Sequence, residues 1–172
     1  MKSHYQKIST IVLVIIVIFL FNIDLTAQDS LKSEKKVIVG KFTWDNWCDS
    51  SGWKQCKVDY NITDEKKSQL EKLLTESNFE IFLFAGSWCG DSESEMPKII
   101  NILDFIKFDK KKLYIYGVDR QKREPSNTAL MFKIEKVPTL IISDEYGEVG
   151  RIVEFPENGQ LWEDAILKII KR

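Results

Sequence analysis

The chain has 172 residues, 44% of them hydrophobic and 30% charged, a composition that suits one globular domain with a proper core and excludes a disordered tail. Its 25 basic and 26 acidic side chains leave a formal net charge of −1, so no basic field argues for nucleic acid. Two thiolates close in sequence make only half a zinc site, and the sole histidine is His4, so no metal is expected.

The first residues depart from this balance. Lys2 and Lys7 precede residues 11–21, an unbroken apolar run that ends in polar sequence and a small residue, Ala27. A basic start, a short apolar stretch and a small residue read as a secretory signal over residues 1–27, cut before Gln28. The run falls short of the ~20 residues of a comfortable membrane span. Leu25, three residues before the cut, is larger than the small residue preferred there, so residues 8–25 as an uncleaved N-terminal anchor form the alternative, and the membrane is a partner only in that case. Export to the periplasm or cell envelope would put Cys48, Cys56 and Cys89 where disulfides form and persist. An odd number of cysteines leaves at least one thiol without an internal partner.

Residues 28–36 are polar and lysine-rich and read as a tether. Residues 37–42 form a first candidate strand. Residues 43–60 hold Trp44, Trp47, Trp53, Cys48 and Cys56, with Ser50-Ser51-Gly52 as a turn signal; together, residues 28–60 make an N-terminal segment rich in Trp and Cys. A Cys48–Cys56 disulfide is the structural reading of the pair. The tryptophans cover the loop against the core or line a groove for a client protein. Thr63 is an N-cap, and the spacing of Leu70, Leu73 and Leu74 predicts an amphipathic helix over residues 64–77. Residues 81–85 have the length and composition of a buried strand. Gly86-Ser87-Trp88-Cys89 follows, and a helix then carries Met96, Ile99, Ile100, Leu103 and Ile106 on one face, with Pro97 inside it as a kink. Further on, residues 112–119 read as a strand, 120–124 as a charged solvated loop, 126–134 as a short helix and 137–142 as a strand entered through Pro138. A turn at residues 144–147, a return strand over 148–155 and a final amphipathic helix over 161–170 complete the order β-α-β-α-β-α-β-β-α.

A strand that delivers a cysteine to the first turn of a helix is a device for making a reactive thiolate, because free amides and the helix dipole favour negative charge there. Asp91, Glu93 and Glu95 set opposing charge beside Cys89. The second cysteine of a redox pair is missing: the motif is Cys89-x-x-Ser92.

These motifs resemble the thioredoxin superfamily over about residues 60–172. Trp88-Cys89-Gly90-Asp91-Ser92 stands where that family has Trp-Cys-Gly-x-Cys, and Pro97 where it has a helix-kinking proline. Val137-Pro138-Thr139 matches its cis-proline loop, and Gly147 its last hairpin turn. The five-residue site, with a Gly150–Glu154 strand of Gly-Arg-Ile-Val-Glu type, is similar to an exported bacterial thioredoxin-like subgroup. The resemblance implies an α/β, thioredoxin-like fold over residues 61–172: a central mixed sheet flanked by helices, with the Trp/Cys-rich extension before it. It also implies no cofactor, catalytic roles for Cys89 and Ser92, and client contacts at Trp88, Gly90, Asp91, Val137, Pro138 and Thr139. Two departures matter. Ser92 replaces the resolving cysteine, and Leu83 occupies the place of a buried aspartate that serves it. The expected function is monothiol thiol–disulfide exchange with client proteins that carry cysteines or disulfides, reset by an external thiol reductant. One alternative is a non-catalytic docking module. Another is a thiol peroxidase resolved by Cys48 or Cys56, disfavoured by Gly86 where peroxidases carry Thr or Pro.

Overall fold

The computed structural model describes residues 35–171. The leader and anchor readings, and residues 28–34 of the tether, lie outside the described residues. The elements in chain order are β1 (Gly40–Phe42), α1 (Trp44–Ser51), α2 (Asp64–Glu76), β2 (Glu80–Ala85), α3 (Gly90–Phe105), β3 (Leu113–Gly117), α4 (Thr128–Met131), β4 (Thr139–Asp144), β5 (Gly147–Val153) and α5 (Trp162–Ile170). The sheet order is β1-β3-β2-β4-β5. β2 runs parallel to β3, while β1 on β3, β4 on β2 and β5 on β4 are antiparallel, which makes the sheet mixed. The expected α/β architecture is present.

One element was not expected. Residues 44–51 form α1, so the order gains a helix between β1 and α2. The Thr43 hydroxyl caps it by accepting from the Asn46 amide at 3.3 Å, and Gly52 ends it at φ 71, a left-handed conformation that suits a residue without a Cβ. The turn signal at residues 50–52 is therefore the end of a helix. Its helical stripe, Trp44, Trp47 and Cys48, is confined to eight residues and is masked by the turn signal that ends it. The first strand is also shorter than expected, because pairing with β3 begins only at Gly40↔Gly117.

The core lies on two faces of the sheet. Ile81, Leu83 and Ala85 of β2 point to one side, where they meet α2, α3 and α5 through Leu70, Leu74, Met96, Ile99, Leu103, Trp162 and Ile166. Phe84 and the half-buried Phe82 point to the other side with Tyr116, Val118, Ala129, Val137 and Ile141. Trp47 and Trp53 are buried in the first cluster, ring centroids 5.1 Å apart and near edge-on. The Trp-rich segment is thus core. Cys48 and Cys56 are joined by a disulfide with Cα atoms 5.9 Å apart, and Cys56 packs on the first cluster. Among the described residues no helix is long and apolar enough to cross a membrane.

Candidate active site

The site forms where β2 stops. Its last residue, Ala85, accepts a bond from the Val118 amide at 2.9 Å, which sets the start of the loop after β3 beside the turn after β2. The Cys89 amide donates to the Gly86 carbonyl at 2.9 Å and closes that turn. Gly86 is required there: a Cβ would come within 2.7 Å of the Trp88 ring. Cys89 is the N-cap of α3, and its carbonyl accepts from Glu93 N at 3.1 Å. Its side chain makes no cap bond, so the first-turn amides remain available to an anion at this end.

Cys89 is the free cysteine among the described residues and is half-buried. It packs on the second cluster, on the opposite side of the sheet from Cys56. Its Sγ donates to the Val137 carbonyl at 3.3 Å, and the Val137–Pro138 peptide bond is cis. The Pro138 carbonyl accepts from Glu154 N at 2.7 Å, and the Thr139 hydroxyl donates to the Lys136 carbonyl at 2.8 Å. Those bonds fix the loop facing the thiol.

The other expected residues divide. Trp88 donates its Nε1–H to the Val118 carbonyl at 3.0 Å, which lays its ring beside the turn. Gly90 and Asp91 are exposed on the first turn of α3. Ser92 is fully buried, and its Oγ accepts from the Gly86 amide at 3.2 Å. No bond from Ser92 to Cys89 Sγ is present among the described residues; the hydroxyl ties helix to turn. Leu83 is buried in apolar surroundings, so no carboxylate occupies its place.

Two of the three acidic groups near Cys89 are already engaged. Glu93 pairs with Lys35 and accepts from the Lys54 amide at 3.2 Å; the Lys35 bond leads in holding its carboxyl below the usual range. Glu95 is buried. It accepts from Trp162 Nε1 at 2.8 Å, Lys98 Nζ at 2.7 Å and Ser94 Oγ at 3.1 Å. Burial pushes the Glu95 carboxyl up, yet Lys98 and the indole N–H together outweigh it and hold it below its ordinary value.

Several contributors have no sequence signal at the site. Ser87 donates to the Lys36 carbonyl at 2.6 Å, accepts from the Ile38 amide at 3.1 Å, and takes the Trp53 indole N–H on its carbonyl at 2.9 Å. The segment before α2 therefore braces the turn that carries Cys89. Arg120 and Lys122, expected as a solvated loop, lie over the Trp88 ring at 5.1 and 5.7 Å from its centroid. Only the hydroxyl of Ser87, set between a strand and a tryptophan, could have drawn notice.

A family model described as thioredoxin matches residues 45–166. Among curated proteins no match is found. Similar solved structures include a protein of unknown function from Pseudomonas aeruginosa, 16% identical over 64% of this chain and 75% of that one, at a TM-score of 0.45. Mitochondrial thioredoxin 3 from Saccharomyces cerevisiae is 16% identical over 60% of this chain and 87% of its own, at 0.38. Thioredoxin O2 from Arabidopsis thaliana is 22% identical over 62% and 84%, also at 0.38. With structural scores this low it is the family model, matched across well over half of the sequence, that decides: the chain belongs to the thioredoxin family.

Proposed function

We propose that this protein is a monothiol member of its family, working in the cell envelope by thiol–disulfide exchange through Cys89. The observation that carries the reading is the placement of the Cys89 thiol at the start of α3, 3.3 Å from the Val137 carbonyl, with a buried serine at position 92. The Cys89 thiolate attacks one sulfur of a client disulfide. A Cys89–client disulfide forms, the client's own S–S bond breaks, and its other sulfur departs as a thiolate that takes up a proton. Ser92 holds Gly86 and offers no sulfur, so the adduct persists until an external thiol attacks it and restores Cys89. Cys48 and Cys56 are bonded to each other and support no resolving role in this state. Clients are proteins that carry cysteines or disulfides, and the adjoining Val137–Thr139 loop is the surface against which they lie. The envelope location rests on the basic-then-apolar start of the sequence.

The test is the lifetime of the adduct with a disulfide-bonded protein substrate, followed by mass spectrometry without reductant. The wild type accumulates the adduct and Cys89→Ser does not. Ser92→Cys shortens its lifetime by about tenfold or more, because a tethered thiol acts at an effective concentration of about a millimolar or above. An adduct that survives Cys89→Ser, or that decays equally fast in wild type and Ser92→Cys, sinks the reading.

A further inference from the structure

Resting on that exchange reading, we infer that Arg120 and Lys122 form a cationic docking site beside Cys89 that selects client polypeptides with an Asp or Glu close to the reactive cysteine. The loop between β3 and α4 is built to hold these two side chains. Asp119 Oδ1 accepts from the Gln121 and Arg123 amides at 2.9 and 2.8 Å, and Oδ2 accepts from Arg123 Nε at 3.1 Å. Backbone bonds from Asp119 N to Arg123 O and from Lys122 N to Asp119 O, both 2.9 Å, close the loop. Lys122 sits at φ 61, a left-handed conformation that a side-chain-bearing residue adopts at a cost and that persists because the loop bonds fix it. Its Nζ donates to the Arg120 carbonyl at 3.1 Å. Both cations then lie over Trp88, whose ring is itself set by Val118 and Gly86.

Among the described residues Lys36, Lys54 and Lys133 also lack an ion pair, so what sets Arg120 and Lys122 apart is the Trp88 ring that both share, while other cations nearby are paired. Lys35 is paired with Glu93, Lys98 with Glu95, Lys136 with Glu154, Arg151 with Glu148 and Arg123 with Asp119. Among the described residues neither Arg120 nor Lys122 has a carboxylate within ion-pair distance, and the Asp119 carboxylate is taken up by Arg123 and two amides. An incoming carboxylate would complete the set: the Arg120 guanidinium can hold it by two parallel N–H bonds from its place over the indole. Trp88 adjoins Cys89 in sequence, and an acid two or three residues from a client cysteine reaches ~7–10 Å at ~3.3 Å per extended residue, the scale of one indole ring with a cation on it. An acid at that remove from a client cysteine meets them when the mixed disulfide forms.

The test uses the full protein and short synthetic peptides with one cysteine activated as a 2-pyridyl disulfide, differing only in Asp, Ala or Lys two or three residues away. Attack by Cys89 forms the protein–peptide disulfide, breaks the peptide–pyridyl bond and releases 2-thiopyridone, whose absorbance gives the rate. The Asp peptide should react about tenfold faster than the Lys peptide at low salt, with the ratio shrinking as salt rises. The Arg120→Glu, Lys122→Glu double variant should invert the order, an outcome misfolding cannot produce. Equal rates in the wild type, or an unchanged order in the double variant, overturn the inference. If no peptide is captured at all, the exchange reading fails by itself. Calorimetry with serine in place of the peptide cysteine then decides the docking: preference for Asp that the double variant reverses supports it, and equal binding overturns it. Sensitivity to the double variant with a small dicarboxylate disulfide such as dithiodiglycolate, but not with peptides, overturns the polypeptide as occupant.

Discussion

Trp53→Phe is the substitution that isolates the brace on the Cys89 turn. It keeps an aromatic ring among Trp44 and Trp47, whose centroids lie 6.4 and 5.1 Å away, and removes the Nε1–H that donates to the Ser87 carbonyl at 2.9 Å. Both residues are buried, so the Ser87 carbonyl loses its indole partner where water does not replace it. A buried acceptor deprived of its donor costs about 1–3 kcal/mol. The smaller ring gives up roughly another 1 kcal/mol of apolar burial. Global stability should fall by about 2–4 kcal/mol in urea unfolding, with the denaturant slope unchanged. A local effect accompanies it. Exchange of the Cys89 amide, bonded to Gly86 O across this turn, should speed up by about 5- to 150-fold, the kinetic equivalent of the lost bond at 1.4 kcal/mol per factor of ten. Amides in the middle of β4 should change no more than global stability requires. A loss below about 0.5 kcal/mol with unaltered Cys89 exchange would refute the idea that Trp53 secures the turn.

Glu95→Gln leaves an acceptor for Trp162 but deletes the charge opposite Lys98. Because the folded carboxyl lies below its unfolded value of 4.5, its contribution is complete above that pH and is lost as pH falls through the lower folded value. The variant should be less stable than wild type by about 1–2 kcal/mol near neutrality, and the gap in Tm should close in acid; a gap that stays constant down to pH 3 counts against the ion pair. Replacing Cys48 and Cys56 together by Ser opens a loop with a sequence separation of 8. It should cost about 2.5 kcal/mol and make stability insensitive to dithiothreitol, whereas the wild type should lose a similar amount on reduction. A double variant as stable as the oxidised wild type would show the bridge to be incidental.

The strand and the cysteine were legible in the sequence because both signals are local. The five-residue apolar run before Gly86 could only be a buried strand, and the pattern after Cys89 has helical spacing. The stripe at Leu70, Leu73 and Leu74 fixed α2 for the same reason. Helix α1 was hidden because its stripe, Trp44, Trp47 and Cys48, is confined to eight residues and runs straight into the turn signal at residues 50–52. What surrounds the thiol was less readable still. Ser92 turns to the Gly86 amide, Trp53 reaches Ser87 over 34 positions, and Lys35 reaches Glu93 over 58. The acidic cluster beside Cys89 looked uniform, yet Glu93 and Glu95 are satisfied by cations and an indole that only the fold brings close. Arg120 and Lys122 read as solvated charge because nothing in the local sequence shows that the loop folds onto Trp88.

The position of β1 bears on the order in which the molecule assembles. Gly40 pairs with Gly117, and Lys36 and Ile38 bond Ser87, so the earliest described strand closes against partners far along the chain. Such distant closures come late in folding, after nearer pairings have lowered their entropic cost. A chain with β2 to β5 already paired but β1 still loose would have its sheet and its thiol, yet Ser87 would lack its partners from residues 36 and 38. The reactivity of Cys89 then serves as a clock: pulsed alkylation during refolding should report the docking of the N-terminal edge as a separate event, after the sheet signal has settled.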